Sequence, residues 1–139
     1  MELTAHWEGG YRVRIRVRGF DVVADEPPED GGTDTGPTPT ELLLSSLASC
    51  FTMAVYHAAR KRRIELEDLA VRVSADYDGL RLSRFVVTVH SSHPREELES
   101  FKEQAMRWCY VSNTLRGQPD VDYVVADGPL TPTPATGQH

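Results

Sequence analysis

The segment from Leu42 to Tyr56 constrains the fold of this sequence more than any other part of it. It reads LLLSSLASCFTMAVY, and each of its side chains is either apolar or small. Thr38, Pro39 and Glu41 come just before it, at the N-cap, first and third positions of a capping box. The segment therefore predicts a long helix that begins at this box and ends in the basic run RKRR, which suits the helix dipole.

A helix that is apolar on every side has to be buried on every side. One small sheet covers only one side of such a helix, so the other side needs a second helix and a second subunit. Small side chains along the helix would allow another helix to approach closely; they are Ser45, Ser46, Ala48, Ser49, Ala54 and Ala58. We therefore expect a homodimer in which two long helices are enclosed by sheets from both chains.

Alternating apolar and polar residues on both sides of this helix predict antiparallel strands. The clearest example is YRVRIRVR, in which four arginines share one face of the strand and the apolar residues share the other. Glycines bound this segment and mark turns, so a meander is expected before the helix and a hairpin after it. The predicted strands are residues 2–8, 11–18, 20–24, 69–77, 84–90 and 121–125.

The remaining segments complete an α+β arrangement of one domain. A second helix is predicted in PREELESFKEQAMRWC, followed by a short third helix capped by Ser112. The acidic, Pro- and Gly-rich residues 25–37 are interpreted as a mobile loop. A chain of 139 residues corresponds to about one domain. We assign that domain to residues 1–127 and interpret residues 128–139 as an extended tail.

Charge and hydropathy exclude two classes of partner. Fifteen Lys and Arg against 21 Asp and Glu give a formal charge of −6, whereas nucleic-acid binders usually carry a basic excess. No apolar run reaches the roughly 18 residues that span a bilayer, and the N-terminus lacks a signal-peptide pattern. We therefore expect a cytoplasmic protein that binds neither nucleic acid nor membrane.

Cys50 and Cys109 are the two cysteines of the chain. In the cytoplasm thiols stay reduced, so such a pair is more often redox-active or metal-binding than structural. The histidines show no ligand spacing and no phosphate-binding loop is present, so neither a metal nor a cofactor is expected. Taken alone, each cysteine is interpreted as a small buried residue of the core. A separation of 59 positions leaves open whether the fold brings the two thiols together.

A reactive Cys50 needs positive charge from another segment, because apolar surroundings raise a thiol pKa and mid-helix placement offers no helix N-terminus. His57 lies about 10 Å farther along the helix, too far for a direct pair, and is interpreted as a packing or surface residue. The four arginines of the YRVRIRVR strand are the dense supply of cations, and one of them could stabilise a thiolate. The other interpretation is that these arginines only coat a solvated strand face.

Three motifs resemble the OsmC/Ohr family. The segment GPTPTELL at 36–43, followed by Ala-Ser-Cys at 48–50, resembles the central-helix motif of that family. The segment Cys-Tyr-Val-Ser at 109–112, with Leu115, resembles its second cysteine motif. Residues 5–9, AHWEG, resemble its N-terminal strand. The motifs occur in the family's order and spacing over nearly the whole chain.

The resemblance implies an intertwined α+β homodimer with two long helices at its centre. It also implies a thiol-dependent peroxidase that reduces organic hydroperoxides. Cys50 would attack the peroxide and become a sulfenic acid, and Cys109 would resolve it as a disulfide that a dithiol then reduces. An arginine of the N-terminal strand would stabilise the thiolate, and the alignment of the N-terminal motif makes Arg12 the first choice and Arg14 the second. The substrate pocket around Cys50 would be lined by Phe51, Met53 and residues of the partner chain.

One position departs from the family pattern. Family members carry a glutamate ten positions before the first cysteine, and here that position is Thr40. Glu41 is adjacent, but nine residues at about 100° each place it on the opposite side of the helix from Cys50. This departure supports an alternative, a non-enzymatic homodimer that binds a small apolar or thiol-reactive ligand. Both cysteines in matching motifs support the peroxidase.

Overall fold

The computed structural model describes residues 1–131, and within them an antiparallel meander precedes a long helix, a hairpin and two further helices. A short 3-10 helix at Pro28–Asp30 interrupts the connection to the long helix. The strands are β1 (Thr4–Trp7), β2 (Val13–Val17), β3 (Phe20–Ala24), β4 (Ala70–Asp78) and β5 (Arg81–His90). The helices are α1 (Pro39–Lys61), α2 (Arg95–Trp108) and α3 (Tyr110–Gly117).

The two sheets are antiparallel and separate, which confirms the predicted α+β class. The first has the order β1-β2-β3, and the second is the β4-β5 hairpin. Ala70 pairs with His90 at the open end of the hairpin, and Asp78 pairs with Arg81 at its turn. The strand β5 begins at Arg81, three residues before its predicted start. It directly follows a turn in which Gly79 has a φ of 60°, a conformation that glycine adopts readily.

The predicted capping box opens α1. The backbone N–H of Glu41 donates to Thr38 Oγ1 at 3.3 Å, and the N–H of Thr38 donates to Glu41 Oε2 at 2.8 Å. Two otherwise unpaired N–H groups are satisfied in this way, so the helix start is fixed by local sequence. The helix continues to Lys61, with Arg62 as its C-cap, as the sequence predicts.

The core lies between α1, the inner face of the β4-β5 hairpin, and the helices α2 and α3. Alternate residues of both strands, among them Val73 and Val87, pack against the buried cluster. The buried cluster consists of Leu47, Phe51, Ala54, Val55, Ala58, Ala59, Phe101, Ala105 and Cys109. Strands β1–β3 contribute no residue to this cluster within the described part of the chain.

The opposite side of α1 is not covered by any other part of residues 1–131. Met53 is 68% exposed and Tyr56 is 57% exposed, although both belong to the segment predicted to be buried all round. The length and composition of α1 would also suit a membrane span, but α1 packs against α2, α3 and β4 as the core helix of a globular domain. The described residues of one chain therefore do not bury α1 on every side.

The loop of residues 25–37 is organised around a buried carboxylate, so its interpretation as a mobile loop is wrong. Asp25 is 1% exposed and accepts hydrogen bonds from the N–H of Glu26 at 2.8 Å and from the hydroxyls of Thr33 and Thr35 at 2.5 and 2.6 Å. These bonds, led by the one from Thr33, hold the pKa of Asp25 well below its usual range. Thr33 and Thr35 of the TDT segment are the sequence feature that indicates an ordered loop, and the overall Pro- and Gly-rich composition hides it.

Two further sequence expectations need correction. Residues 121–125, predicted as a strand, form no strand, because no strand of residues 1–131 pairs with them, and their apolar side chains are exposed. The third helix begins at Tyr110 rather than after Ser112, because Cys109 is its N-cap. Of the predicted tail, residues 128–131 contain no helix or strand, and residues 132–139 lie outside the described part of the chain.

Candidate functional site

The fold brings the two cysteines together. Cys50 is half-buried on α1, and Cys109 is fully buried at the junction between α2 and α3. Cys50 packs against the buried cluster that contains Cys109, the Cys109 side chain contributes to the raised pKa of the Cys50 thiol, and both thiols are free. The contact between α1 and this junction therefore brings together two cysteines that are 59 positions apart in the sequence.

A single residue separates α2 from α3, and that residue is Cys109. Its backbone is extended, with φ −77° and ψ 101°, while its N–H still donates to Ala105 of α2 at 2.9 Å. Its sulfur accepts a hydrogen bond from the N–H of Ser112 at 3.5 Å and so caps α3. The hydroxyl of Ser112 donates back to the Cys109 carbonyl at 3.3 Å. This local geometry fixes the direction in which α3 leaves the site.

Opposing effects act on the Cys50 thiol. Burial raises its pKa above the ordinary value, and the adjacent Cys109 thiol adds to that rise. The backbone N–H groups of Val111 and Tyr110 act in the opposite direction, because they stabilise the thiolate. These groups belong to the first turn of α3, where N–H groups are unpaired and the helix dipole is positive. Burial has the larger effect, so the pKa of Cys50 is raised.

The first turn of α3 is a part of the site that sequence reasoning missed. Cys50 lies in the middle of its own helix, and the residues around it in the sequence offer no helix N-terminus. The sequence signal was present in Cys109, which can act as an N-cap directly before Tyr110 and Val111. The N-terminus of α3 comes next to Cys50 only through the packing of α3 on α1.

A pocket of about 620 Å³ opens at Cys50. Most of its walls are apolar or aromatic, and His57 and Arg107 are the lining residues that can carry positive charge. The complete lining is Cys50, Met53, Ala54, Tyr56, His57, Arg107, Trp108, Tyr110 and Asn113. Met53 lies in the pocket as expected. Phe51 does not, because the next residue on the helix points about 100° away, and there it is buried in the core at 4% exposure.

Trp108 forms one wall of the pocket and is held by residues of α1. The His57 ring meets the Trp108 ring edge-on, with 4.9 Å between ring centroids. The Lys61 ammonium lies 4.7 Å from the centroid of the same ring, a cation–π contact. His57 thus has the packing role that its distance from Cys50 suggested, and it also lines the pocket.

Three of the four strand arginines are engaged in ion pairs with carboxylates of the same N-terminal segment. Arg12 Nε lies 3.0 Å from one Glu8 oxygen, and Arg14 Nε lies 3.0 Å from the other. Arg14 also pairs with Asp21, which in turn pairs with Arg16 at 3.0 Å. The pKa of Arg14 is raised mainly by its bond to Glu8. Arg12 does not line the Cys50 pocket of the described chain.

Thr40, which replaces the family glutamate, faces a different pocket. Its hydroxyl lies 3.2 Å from Thr38 Oγ1 and accepts a 3.5 Å bond from the Tyr77 hydroxyl. The pocket that it lines has a volume of about 670 Å³ and does not include Cys50. Glu41 is held in the capping box, as expected. Neither residue places a carboxylate in the Cys50 pocket of this chain.

Comparisons with known proteins agree with this arrangement. A family model described as OsmC-like protein matches residues 32–124. The organic hydroperoxide resistance protein OhrB of Bacillus subtilis is 28% identical over 110 residues, which are 76% of this chain and 79% of OhrB. An uncharacterized protein of Haloferax volcanii is 30% identical over 122 residues, covering 85% of this chain and 89% of its own length.

Solved structures share the fold. The OsmC-like protein of Mycoplasma pneumoniae superposes with a TM-score of 0.72 at 22% identity, over 84% of this chain and 86% of that one. The crystal structure of Bacillus subtilis OhrB superposes with a TM-score of 0.61 at 25% identity, over 84% and 90% of the two chains. The meander, long helix, hairpin and paired helices are therefore an arrangement seen in other proteins.

Proposed function

Because the chain belongs to the OsmC-like protein family, we propose that it is a thiol-dependent peroxidase that reduces organic hydroperoxides as a homodimer. The observation that carries the proposal is that two free thiols, Cys50 and Cys109, lie next to each other where α1 packs on the junction of α2 and α3, with Cys50 lining a largely apolar pocket. One relative is named an organic hydroperoxide resistance protein, which supports this substrate class.

In the first step the Cys50 thiolate attacks the terminal oxygen of the hydroperoxide. A sulfur–oxygen bond forms, the oxygen–oxygen bond breaks, and the sulfur gives up two electrons. The leaving alkoxide takes up a proton and departs as the alcohol. Cys50 is left as a sulfenic acid. An apolar pocket suits an organic peroxide, because its carbon chain can contact side chains such as Met53 and Trp108.

In the second step the Cys109 thiolate attacks the sulfur of the Cys50 sulfenic acid. A disulfide forms and the hydroxyl group leaves as water after taking up a proton. A dithiol reductant then exchanges with this disulfide and returns both residues to thiols. Because the fold already places Cys109 beside Cys50, the two thiols do not have to be brought together from distant parts of the structure before they react. The cycle requires a reducing compartment, which is consistent with a cytoplasmic location.

The homodimer is supported by the uncovered side of α1. Met53 and Tyr56 line the Cys50 pocket and are mostly exposed, as is Tyr110 at 84%. A second copy packed on this face would bury apolar surface and close the pocket against water. Exclusion of water would strengthen every electrostatic interaction of the thiolate in the pocket.

The test is to trap the sulfenic acid in the Cys109→Ser variant. After excess cumene hydroperoxide, mass spectrometry should find one added oxygen on Cys50, and a dimedone adduct should replace it when dimedone is present. The Cys50→Ser variant is the control and should gain no adduct. Wild type should instead form the Cys50–Cys109 disulfide. An unmodified Cys50 in a protein whose circular dichroism is unchanged would overturn the proposal.

A second candidate function rests on the raised pKa of Cys50 and on Thr40. A thiol that stays protonated in an apolar pocket suits a non-enzymatic homodimer that binds a small apolar or thiol-reactive ligand. In that case an apolar ligand should quench Trp108 fluorescence saturably, because Trp108 lines the pocket. The same protein should then consume no hydroperoxide. Peroxide consumption at a rate that depends on Cys50 favours the first candidate.

A further inference from the structure

We propose that Trp108 is a specificity-determining residue, and that it makes the pocket favour hydroperoxides whose carbon group carries an aromatic ring. His57 and Lys61 act as positioning residues, because they hold the Trp108 ring in place. This inference rests on the proposed function, since it concerns the substrate of the same pocket. It gives a selective role to a side chain that no family motif quoted above contains.

The pocket follows one stripe of α1. Cys50, Ala54 and His57 are spaced by four and then three positions, so they lie on one side of the helix, and all of them line the pocket. Ala54 is the small residue in the middle of this stripe and leaves space beside the helix. Cys50 and His57 are about 10 Å apart along the helix axis. Trp108 contacts His57 and therefore forms the end of the pocket that lies away from the thiol.

The Trp108 ring is held by two contacts to α1 of the same chain. The His57 and Trp108 rings are T-shaped, with 4.9 Å between their centroids, and the Lys61 ammonium lies 4.7 Å from the Trp108 centroid. Contacts of both kinds stabilise a defined orientation of the indole. A side chain that is already ordered loses little conformational entropy when a ligand packs against it.

The backbone around Trp108 is fixed as well. Trp108 is the last residue of α2, and the carbonyl of the preceding Arg107 accepts a hydrogen bond from Asn113 Nδ2 at 3.1 Å. The N–H of the following residue, Cys109, donates to the Ala105 carbonyl at 2.9 Å. The indole therefore has a fixed attachment point at the junction of α2 and α3.

Two further aromatic side chains, Tyr56 and Tyr110, line the pocket, but they are less enclosed. They are 57% and 84% exposed, whereas Trp108 is 36% exposed. A second copy packed on the exposed side of α1 would cover the rim of the pocket at Tyr56 and add side chains of its own there. The Trp108 wall would remain, because its ring rests on α1 of its own chain.

The carbon group of the peroxide decides how strongly this wall contributes. An aryl group can meet an indole offset-stacked or edge-to-face, and either contact is attractive beyond the burial of apolar area. A tert-butyl group gains the burial alone, and hydrogen peroxide has no carbon group. All three peroxides transfer an oxygen to the same sulfur. A variant that changes the ratios of their rates has therefore changed the contact with the carbon group and not the reactivity of the thiol.

The experiment measures the rate constant for Cys50 oxidation in the reduced full-length protein with cumene hydroperoxide, tert-butyl hydroperoxide and hydrogen peroxide. Trp108→Leu should slow the reaction with cumene hydroperoxide about three- to tenfold relative to the other two, because the aromatic contact is lost. Trp108→Phe keeps a ring and should keep most of the preference. Trp7→Phe changes the other tryptophan of the chain and is the matched control, with rate ratios equal to those of wild type.

The positioning residues are tested through their dependence on Trp108. His57→Ala should lower the preference for cumene hydroperoxide about two- to threefold in wild type and should have no effect in Trp108→Leu, because it acts through the indole. His57→Phe keeps a ring beside Trp108 and should restore the preference. Lys61→Ala should act like His57→Ala, whereas Arg60→Ala, at a position that does not line this pocket in the described chain, should leave the ratios unchanged.

A binding measurement separates this inference from the proposed function. In the Trp7→Phe variant, the alcohol that cumene hydroperoxide leaves behind, 2-phenyl-2-propanol, should quench Trp108 fluorescence at lower concentration than tert-butanol does. If Cys50 reacts with none of the three peroxides, the proposed function is wrong, and this binding preference by itself decides the role of Trp108.

Three results would overturn the role of Trp108. They are equal quenching by the two alcohols, rate ratios that are the same in wild type and Trp108→Leu, and ratios that change in Trp7→Phe instead. The last result would place the selective wall in the N-terminal meander. Urea unfolding midpoints of all variants ensure that a changed ratio does not come from lost structure.

Discussion

The sulfur of Cys109 caps helix α3 by accepting a hydrogen bond from the N–H of Ser112 at 3.5 Å. The same sulfur lies beside the thiol of Cys50. The Cys109 sulfur therefore caps the same helix whose first backbone N–H groups stabilise the Cys50 thiolate. Structure and chemistry are coupled at this residue, so a variant of Cys109 must be chosen with its capping role in mind.

Replacement of Cys109 should therefore depend on whether the new side chain can cap α3. Cys109→Ser keeps an acceptor for the Ser112 N–H, whereas Cys109→Ala leaves that donor unpaired. We expect Cys109→Ala to be less stable than Cys109→Ser by about 1 kcal/mol, the usual worth of an N-cap. Urea unfolding followed by circular dichroism measures the difference. Equal stabilities would show that the sulfur contributes nothing to the cap.

The stability of the fold should fall in acid because of Asp25. Its pKa in the folded protein lies below that of the unfolded chain, which is about 3.9. Its contribution is therefore complete above about pH 5 and is lost as the pH falls toward the lowered folded pKa. Asp25→Asn should unfold at lower urea concentration at pH 7 and should lose less stability on acidification. Asp30→Asn, at an exposed position of the same loop, should follow wild type at both pH values.

Gly36 should not tolerate a side chain. A Cβ atom at this position would lie 2.3 Å from the Val23 carbonyl oxygen, a backbone atom that cannot move aside easily. Gly36→Ala is expected to lower the free energy of unfolding by about 1–3 kcal/mol through overpacking. Gly117→Ala is the matched control, because a Cβ there meets no atom within 4 Å and alanine favours the helix. A thermal scan in which both variants melt together would contradict the close approach of β3 to residue 36.

The exposed face of α1 should mediate self-association. Met53→Glu places a charge on that face, and we expect it to shift the protein from twice the chain mass toward a monomer in light scattering at micromolar concentration. Arg95→Glu introduces the same side chain at a position of α2 that is 92% exposed and should leave the mass unchanged. If the wild-type protein is itself a soluble monomer, the prediction that this face mediates self-association is wrong.

Local sequence was sufficient for the elements that local interactions determine. Thr38 and Glu41 are three residues apart and satisfy each other's N–H groups, so the start of α1 is readable from the sequence. Alternation of side chains along β4 and β5 likewise determines which face meets the core, because the period of a strand is two residues. The resemblance carried by the cysteine motifs led to the family for the same reason: motif order and spacing are properties of the sequence.

The surroundings of Cys50 and the loop around Asp25 depend on contacts between distant segments. The approach of α3 to α1 brings the N–H groups of Tyr110 and Val111 to Cys50 and leaves Arg107 in the same pocket. Burial of Asp25 depends on threonines eight and ten positions away. The pKa of a side chain and the lining of a pocket depend on all the groups that surround one point in space. The distances between those groups are set only when the helices pack together. The sequence alone therefore determined which residues could react, and the tertiary structure decided which charges and dipoles surround them.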